Sequence, residues 1–246
     1  AWFIICGRYS SRIASSAFSG SDRSVRPAAS YCVMDSFRCL AERCLEVMAD
    51  FNAQGLARLA WVTWLGRSLR IYRALKQYLD LEYDSMNDQD IKTYLQQKDI
   101  ALIGDFTRGK ALFAIFDKLV PEYLIQPTWI IDYPRDVSPL SKIHRDDSTL
   151  AERFELYIGG KELADGWSEI TDPVDQRQIF ENEQTRMRAG DAEAHPVDEV
   201  FLSAMEYGMP PAAGLGVGID RLTMLMTGQE SIRDVILFPL LRPERQ

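Results

Sequence analysis

A glycine at every second position of one short apolar stretch is the feature that most limits how this chain can fold. The stretch contains Gly214, Gly216 and Gly218 and continues directly into a segment that opens with Asp220 and Arg221. Because glycine has no side chain, one face of such a strand is bare and a flat ligand can lie against its backbone. The arginine falls in the first turn of the next helix, beside unpaired N–H groups that attract phosphate. The pattern predicts a nucleotide site at a strand-to-helix junction.

The glycines are open to two other interpretations. A dinucleotide-binding fold requires the spacing G-x-G-x-x-G in the turn that follows a strand. Here the glycines recur with a period of two, and the Asp220 carboxylate at the helix start would repel a pyrophosphate. We therefore set the dinucleotide fold aside. A strand that simply packs closely under a helix remains a structural alternative on spacing alone.

Composition narrows the class of protein. The chain has 246 residues, 46% of them hydrophobic and 26% charged, which is typical of one large or two small globular domains. Its net charge of −8 excludes a basic nucleic-acid footprint over the whole chain, although a local patch could still contact RNA. The 4 cysteines show no C-x-x-C spacing and only 2 histidines are present, which disfavours a zinc site or a disulfide framework. No apolar run approaches the roughly 20 residues that cross a bilayer, so no membrane contact is expected.

The N-terminal part differs in composition from the rest. Residues 1–33 are rich in serine and arginine, with Asp22 as their single acid, and this bias resembles a mitochondrial or plastid transit peptide. A disordered leader or sequence foreign to the domain would look similar. A helix is predicted over 35–50, and 56–64 cannot be placed. We therefore divide the chain into an unassigned leader or divergent segment, 1–65, and a domain over 66–246.

Regular patterns begin after residue 66. Gly159-Gly160 is a two-residue turn of the kind that joins antiparallel strands. Ser68 is predicted to cap the first helix, and the helix near residue 200 is expected to bury Val200 and Phe201. Hairpin strands followed by separate helices predict an α+β architecture. The predicted helices are 68–79, 88–97, 109–119, 173–189, 197–207 and 220–226, and the predicted strands are 128–132, 153–158, 161–170, 214–219 and 235–238.

Two acids on the predicted return strand are candidate metal ligands. Glu162 and Glu169 could hold Mg²⁺, which prefers a few carboxylates together with phosphate oxygens. Their spacing of seven would place them on opposite faces of an unbroken strand. A bulge near Asp165-Gly166 would bring them to the same face. Two solvated strand acids remain the structural alternative.

Seven ordered runs between residues 124 and 243 resemble the catalytic C-terminal part of class II lysyl-tRNA synthetases. The runs are 127–134, 138–142, 153–156, 161–169, 206–211, 214–221 and 231–239. The resemblance implies the antiparallel sheet flanked by helices of class II aminoacyl-tRNA synthetases, incomplete at its N-terminal side. It also implies ATP, L-lysine and tRNA-Lys as partners, Mg²⁺ as cofactor, a homodimer, and a cytoplasmic enzyme unless 1–33 direct it to an organelle.

The resemblance assigns the nucleotide contacts to one group of residues. It implies that Arg221 is catalytic and grips the ATP γ-phosphate, which suits its planar, permanently charged fork. Gly214 and Gly216 would let adenine and ribose approach the sheet, and Gly218 and Glu162 would also contact ATP.

The amino-acid contacts and the metal fall on the neighbouring strand. Glu162 and Glu169 would bind Mg²⁺, and Glu169, assigned as catalytic, would also face the substrate ammonium. Asp165 and Trp167 would complete the lysine site. Asp165 departs from the usual asparagine of the family, and Trp167 replaces a phenylalanine or tyrosine.

Other family features are not recognisable in the sequence. The first signature motif and the second, which contributes an Arg-x-Glu clamp, are not found, and Arg153-Phe154-Glu155 has that spacing on a different matched strand and is set aside. We therefore expect reduced or no activity from this chain alone. Two alternatives stay open: a non-catalytic ATP-binding pseudo-synthetase or partner-binding module, and a paralogue that transfers lysine to a protein.

Overall fold

The computed structural model describes residues 67–239, apart from 103 and 189–195, together with the backbone of residues 2–4 and 7–8. The predicted helix 35–50 and the unplaced segment 56–64 lie outside the described residues. The assignment of 1–33 as a leader and the domain boundary at residue 66 therefore stay predictions.

Seven described strands form one sheet with the order β1-β7-β6-β5-β4-β3. Strand β2 pairs with the start of β7, on the same edge on which β1 pairs with its end. The β3–β4 pair is parallel, and all other pairs are antiparallel. The strands are β1 (Trp2–Ile4), β2 (Gly7–Arg8), β3 (Arg67–Arg70), β4 (Thr128–Pro134), β5 (Leu150–Ile158), β6 (Lys161–Ser168) and β7 (Ala212–Gly218).

Six described helices accompany the sheet, so the predicted α+β class is confirmed. They are α1 (Ile71–Leu79), α2 (Asp88–Gln97), α3 (Arg108–Leu119), α4 (Pro173–Arg188), α5 (Glu199–Glu206) and α6 (Ile219–Thr227). Side-chain caps start several of them: Asn87 accepts two backbone N–H bonds at α2, and Asp198 accepts one at α5. No described helix is both long and apolar enough to span a membrane.

The sheet has an apolar cluster on each face. On one face, Ile130 and Tyr157 pack with the buried sides of α1, α2 and α3. On the other, Trp129 and Leu156 pack with residues of β6, β7 and α6. Successive strand residues point to opposite faces, which is why Trp129 and Ile130 belong to different clusters. The helix layer α1–α3 thus covers the β4–β5 end of one face.

The glycine turn joins β5 to β6 as predicted. Gly159 and Gly160 have φ angles of 61° and 75°, which glycine adopts without steric cost. The pairing then shifts by one residue: Tyr157 lies opposite Glu162, whereas Leu156 lies opposite Ala164. The extra residue is Leu163, so β6 does carry a bulge. It lies at Leu163 and not at the predicted Asp165-Gly166.

Three further local predictions are wrong. Ser68 lies in β3 and caps no helix, because residues 67–70 pair with β4 before α1 begins. Helix α5 buries Leu202 and leaves Val200 82% exposed and Phe201 42% exposed. The segment 235–238 follows a short 3-10 turn and forms no strand.

Candidate active site

The bulge in β6 determines which acids share a face of the sheet. Residues directly opposite each other on paired strands project their side chains to the same side. Glu162 lies opposite Tyr157, and Asp165 lies opposite Glu155, two residues before Tyr157 on β5. Glu162, Asp165 and Glu155 therefore point to one face. This is the face that carries α1–α3.

The glycine strand forms the floor next to these acids. Asp165 pairs with Gly216, and Trp167 pairs with Gly214. Because β7 presents glycines at these points, its backbone is bare on the acidic face. At its end, a Cβ added to Gly218 would lie 3.3 Å from the backbone oxygen of Leu163, so the strand also approaches the bulge closely.

Glu169 follows β6 by one residue and lies at the opposite end of the site from Glu162. Its Oε2 accepts a hydrogen bond from the Trp167 Nε1 at 3.2 Å. Its Oε1 lies over the bare Cα of Gly214, where an added Cβ would be 2.8 Å away. Its backbone N–H donates to the Ala212 oxygen at 3.0 Å, and an isolated β-bridge joins it to Ser141. The Glu169 backbone is therefore held from two sides.

Arg221 approaches the site from the first turn of α6. Its guanidinium donates to the Glu162 backbone oxygen at 2.6 Å and lies 3.8 Å from the Glu162 carboxylate. Its side chain is 44% exposed, so a ligand can reach it. A cavity of about 310 Å³ opens beside the two residues, with Met224 and Leu225 in its lining.

Sequence reasoning missed two residues of this face, Arg153 and Glu155. The Arg153 guanidinium lies 2.6 Å from Glu155 and 3.8 Å from Asp165, and it also lies over the Tyr133 ring. The Tyr157 hydroxyl donates to the other Glu155 oxygen at 2.7 Å. The signal that could have found them is the hairpin turn, which places β5 directly beside the acids of β6.

Three carboxylates of this face, those of Glu162, Asp165 and Glu169, are harder to ionise than free acids. Burial raises the pKa of Glu162, and the negative charges of Glu155 and Asp165 raise it further, while Arg221 lowers it. Burial also raises the pKa of Asp165, against the lowering effect of Arg153. Burial raises the pKa of Glu169, and its hydrogen bond from Trp167 opposes that shift. A cation bound here would relieve these unfavourable charges.

A loop between β4 and β5 closes the Glu169 end of the site. Ser138 and Ser141 hydrogen-bond to each other through their hydroxyls at 2.7 Å, and Arg153 donates to Ser138 at 3.3 Å. The backbone N–H of Lys142 donates to the Ser168 oxygen at 2.9 Å, which ties the loop to the end of β6. The run 138–142, singled out in the sequence, therefore lies beside the predicted lysine-binding acid.

Comparison with known families agrees with this geometry. The sequence profile described as tRNA synthetases class II (D, K and N) matches residues 30–242. The chain belongs to this family. The match begins at residue 30, inside the unassigned N-terminal segment 1–65.

Similar proteins in this class II family carry the name Lysine–tRNA ligase. The chain is 58% identical over 138 residues to the one from Thermosynechococcus vestitus, which covers 56% of this chain and 27% of that protein. It is 48% identical over 180 residues to the one from Trichormus variabilis (72% and 32%), and 44% identical over 179 residues to the one from Moorella thermoacetica (72% and 37%). The chain thus spans between about a quarter and just over a third of the length of these relatives.

The class II assignment confirms the predicted family and fold, whereas the individual residue roles stay predictions. The structure brings Glu162, Asp165, Trp167 and Glu169 onto one side of β6, next to the glycines of β7 and near Arg221. The arrangement can hold a cation on its carboxylates and an anion on Arg221.

Proposed function

We propose that this chain is the C-terminal catalytic part of a lysine–tRNA ligase. In such an enzyme the lysine carboxylate attacks the α-phosphorus of ATP and displaces pyrophosphate to give lysyl-adenylate. The lysyl group then passes to the 3′ end of tRNA-Lys, and AMP is released. The observation that carries the proposal is the acidic face of β6, with Glu162 and Glu169 at its two ends, beside a glycine floor and Arg221. The names of the similar proteins support lysine as the amino acid.

ATP would occupy the β7 side of the site. Gly214, Gly216 and Gly218 leave room for adenine and ribose against the backbone, and Arg221 would hold the γ-phosphate. In the described structure one guanidinium nitrogen of Arg221 donates to the Glu162 backbone oxygen. The phosphate would bind to the remaining N–H donors of the guanidinium. Rate enhancement in this scheme comes from orienting the lysine carboxylate for in-line attack on the α-phosphorus and from stabilising charge, without a protein nucleophile.

Lysine would occupy the Glu169 end. Glu169 is half-buried and forms no salt bridge with any described residue, so its charge is available to a substrate ammonium. Trp167 would provide an aromatic wall. Asp165 adds a second negative charge, part of which Arg153 offsets at 3.8 Å.

Magnesium fits the donors of this face. Carboxylate oxygens are the protein ligands that Mg²⁺ prefers, and it usually combines one or two of them with phosphate oxygens. Within the described part of the chain no group of three or more His, Cys, Asp and Glu residues is placed to hold a metal without such additional ligands. We propose Glu162 and Glu169 as ligands. Glu155 is a rival to Glu169, because it lies on the same face as Glu162 and, after burial, its charge is the main cause that raises the pKa of Glu162. When bound, Mg²⁺ would offset the negative charge of the ATP phosphates.

The remaining partners follow from the same proposal. We infer tRNA-Lys as the acceptor, a homodimer as the assembled state and the cytoplasm as the compartment. Each of these depends on the ligase function.

The decisive experiment is calorimetric titration of the chain with ATP, Mg²⁺ and lysine, followed by lysine-dependent pyrophosphate–ATP exchange. Norleucine, which lacks the ε-ammonium, is the matched control ligand. We expect lysine to bind in the presence of ATP and Mg²⁺ and norleucine not to bind. E169Q should lower the affinity for lysine at least about tenfold, because one charged hydrogen bond is lost. Exchange should be slow in this chain alone.

The variants E155Q and E169Q separate the two metal assignments. The variant that removes a ligand raises the Mg²⁺ concentration needed for ATP binding, and the other does not. Binding of ATP with no binding of lysine would refute the ligase and favour the non-catalytic nucleotide-binding module. Lysine attached to a protein, with tRNA left uncharged, would favour the protein-modifying paralogue.

A further inference from the structure

The Glu169 carboxylate differs from the other acids of this face in how it is held. Glu155 lies 2.6 Å from Arg153, and Glu162 lies 3.8 Å from Arg221, so each of these acids has a cationic neighbour. Glu169 instead accepts from the indole N–H of Trp167, a neutral donor. A neutral donor orients a carboxylate without cancelling its charge.

The orientation of Glu169 is restricted on its other side by Gly214. Within 4 Å of the position that a Cβ of residue 214 would occupy, the atoms found are Oε1 and the carboxyl carbon of Glu169, at 2.8 and 4.0 Å. Oε1 therefore occupies the space that glycine leaves free. Since Trp167 pairs with Gly214 across β6 and β7, the donor and the free space belong to the same cross-strand pair.

The backbone of Glu169 adds the third restraint. Its N–H donates to Ala212, and the bridge to Ser141 holds it against the loop between β4 and β5. A carboxylate with a fixed backbone, one hydrogen-bonded oxygen and one oxygen seated on a glycine has little freedom to rotate. Such preorganisation lowers the entropy lost when a ligand binds.

We propose that Trp167 is a positioning residue, which with Gly214 fixes Glu169 in one orientation and leaves its charge free for the ammonium group of the substrate. The proposal rests on the proposed lysine function for the identity of that ammonium. A phenylalanine at this position could keep the aromatic wall, but it has no N–H and could not orient the carboxylate.

The hydrogen bond itself is tested by NMR on the ¹⁵N-labelled chain, without any ligand. The indole N–H resonance of Trp167 is the one that disappears in W167F. We expect its hydrogen exchange to become about tenfold faster in E169A, the change that corresponds to one hydrogen bond to a charged group. G214A, which displaces Oε1, should move the same resonance. A Trp167 resonance that responds to neither variant would overturn the proposal.

The positioning role is tested by lysine titration in the presence of ATP and Mg²⁺. We expect W167F to lower the affinity for lysine about tenfold and to leave ATP binding unchanged. In the E169A background, W167F should cause no further loss of lysine affinity. W129F is the matched tryptophan control, because Trp129 is fully buried on the opposite face of the sheet, and it should leave lysine affinity unchanged.

Three outcomes of this titration are decisive. Normal lysine affinity in W167F would refute the positioning role. An equal loss of affinity for ATP and for lysine would also refute it, because that result indicates a general structural role for the Trp167 ring. If the wild-type chain binds no lysine while the Trp167 resonance still responds to E169A, the lysine function fails and the orientation of Glu169 by Trp167 stands.

Discussion

Replacing Arg153 by methionine should strongly destabilise the fold, because it leaves a buried negative charge without its partner. The Arg153 guanidinium lies 2.6 Å from Glu155, and the two side chains are only 20% and 4% exposed. Methionine has a similar length but no charge and no N–H donor. In R153M the Glu155 carboxylate keeps the 2.7 Å hydrogen bond from Tyr157 and loses its cation.

The size of this effect follows from the burial of the pair. Removing one partner of a buried ion pair typically costs about 3–5 kcal/mol. The remaining Tyr157 bond and the partial exposure of Arg153 place R153M at the lower end, about 3 kcal/mol. R177M is the matched control, because Arg177 and Glu199 form a two-bond pair at 2.9 and 2.7 Å on the surface. Exposed pairs contribute little, so R177M should barely change stability.

Urea unfolding followed by circular dichroism measures both variants. We expect a clear drop in midpoint for R153M and almost none for R177M. The double variant R153M/E155Q should recover much of the loss, because a neutral amide at residue 155 no longer leaves a buried charge uncompensated. If R153M is no less stable than R177M, or if E155Q restores nothing, the buried-charge reasoning is refuted.

Three further predictions concern separate parts of the fold. In G166A the new methyl would lie 2.6 Å from both the Gly214 oxygen and the Phe154 ring, so a loss of about 1–3 kcal/mol is expected from urea unfolding, and an unchanged midpoint would contradict it. N87A removes the acceptor of two backbone N–H groups at the start of α2 and should cost about 1 kcal/mol in the same assay; a loss below the error would show that water replaces the cap. D165N should stabilise the chain by about 0.5–1 kcal/mol at pH 8, because burial raises the pKa of Asp165 and so disfavours its charged form. Because the folded-state pKa of Asp165 is raised above the ordinary value of 3.8, the wild-type chain loses stability as the pH rises from that value through the folded-state pKa. Thermal melts of the two proteins should therefore converge below about pH 4, and a constant difference would argue against this cause.

Several elements could be predicted from the sequence because their signals lie between neighbours in the chain. Helix α2 has the predicted bounds, and its first turn is held by Asn87, the residue directly before it. The Gly159-Gly160 turn is as predicted, because positive φ angles at both positions suit glycine. The alternating glycines did form a strand that leads directly into a helix, with Arg221 in its first turn.

Other elements depended on partners far away in the sequence. Residues 67–70 form a strand and not the start of a helix, because β4, some sixty residues later, pairs with them. On α5, Met205 is buried as its periodicity predicts, but the helix also buries Leu202 and leaves Val200 and Phe201 exposed, so the expected apolar side was wrong in part. Local periodicity cannot show which side of a helix meets another element when both sides carry apolar residues.

The sequence by itself determined the chemical groups of the candidate site: the glycine floor, the acids of β6 and the arginine of α6. Only the tertiary structure decided how they share a face, because one extra residue at Leu163 reverses the side to which the start of β6 points. The position of a bulge depends on hydrogen bonding to both neighbouring strands, which no local pattern reports. The same cross-strand pairing brought Arg153 and Glu155 into the site, although the sequence analysis had set their Arg-x-Glu spacing aside.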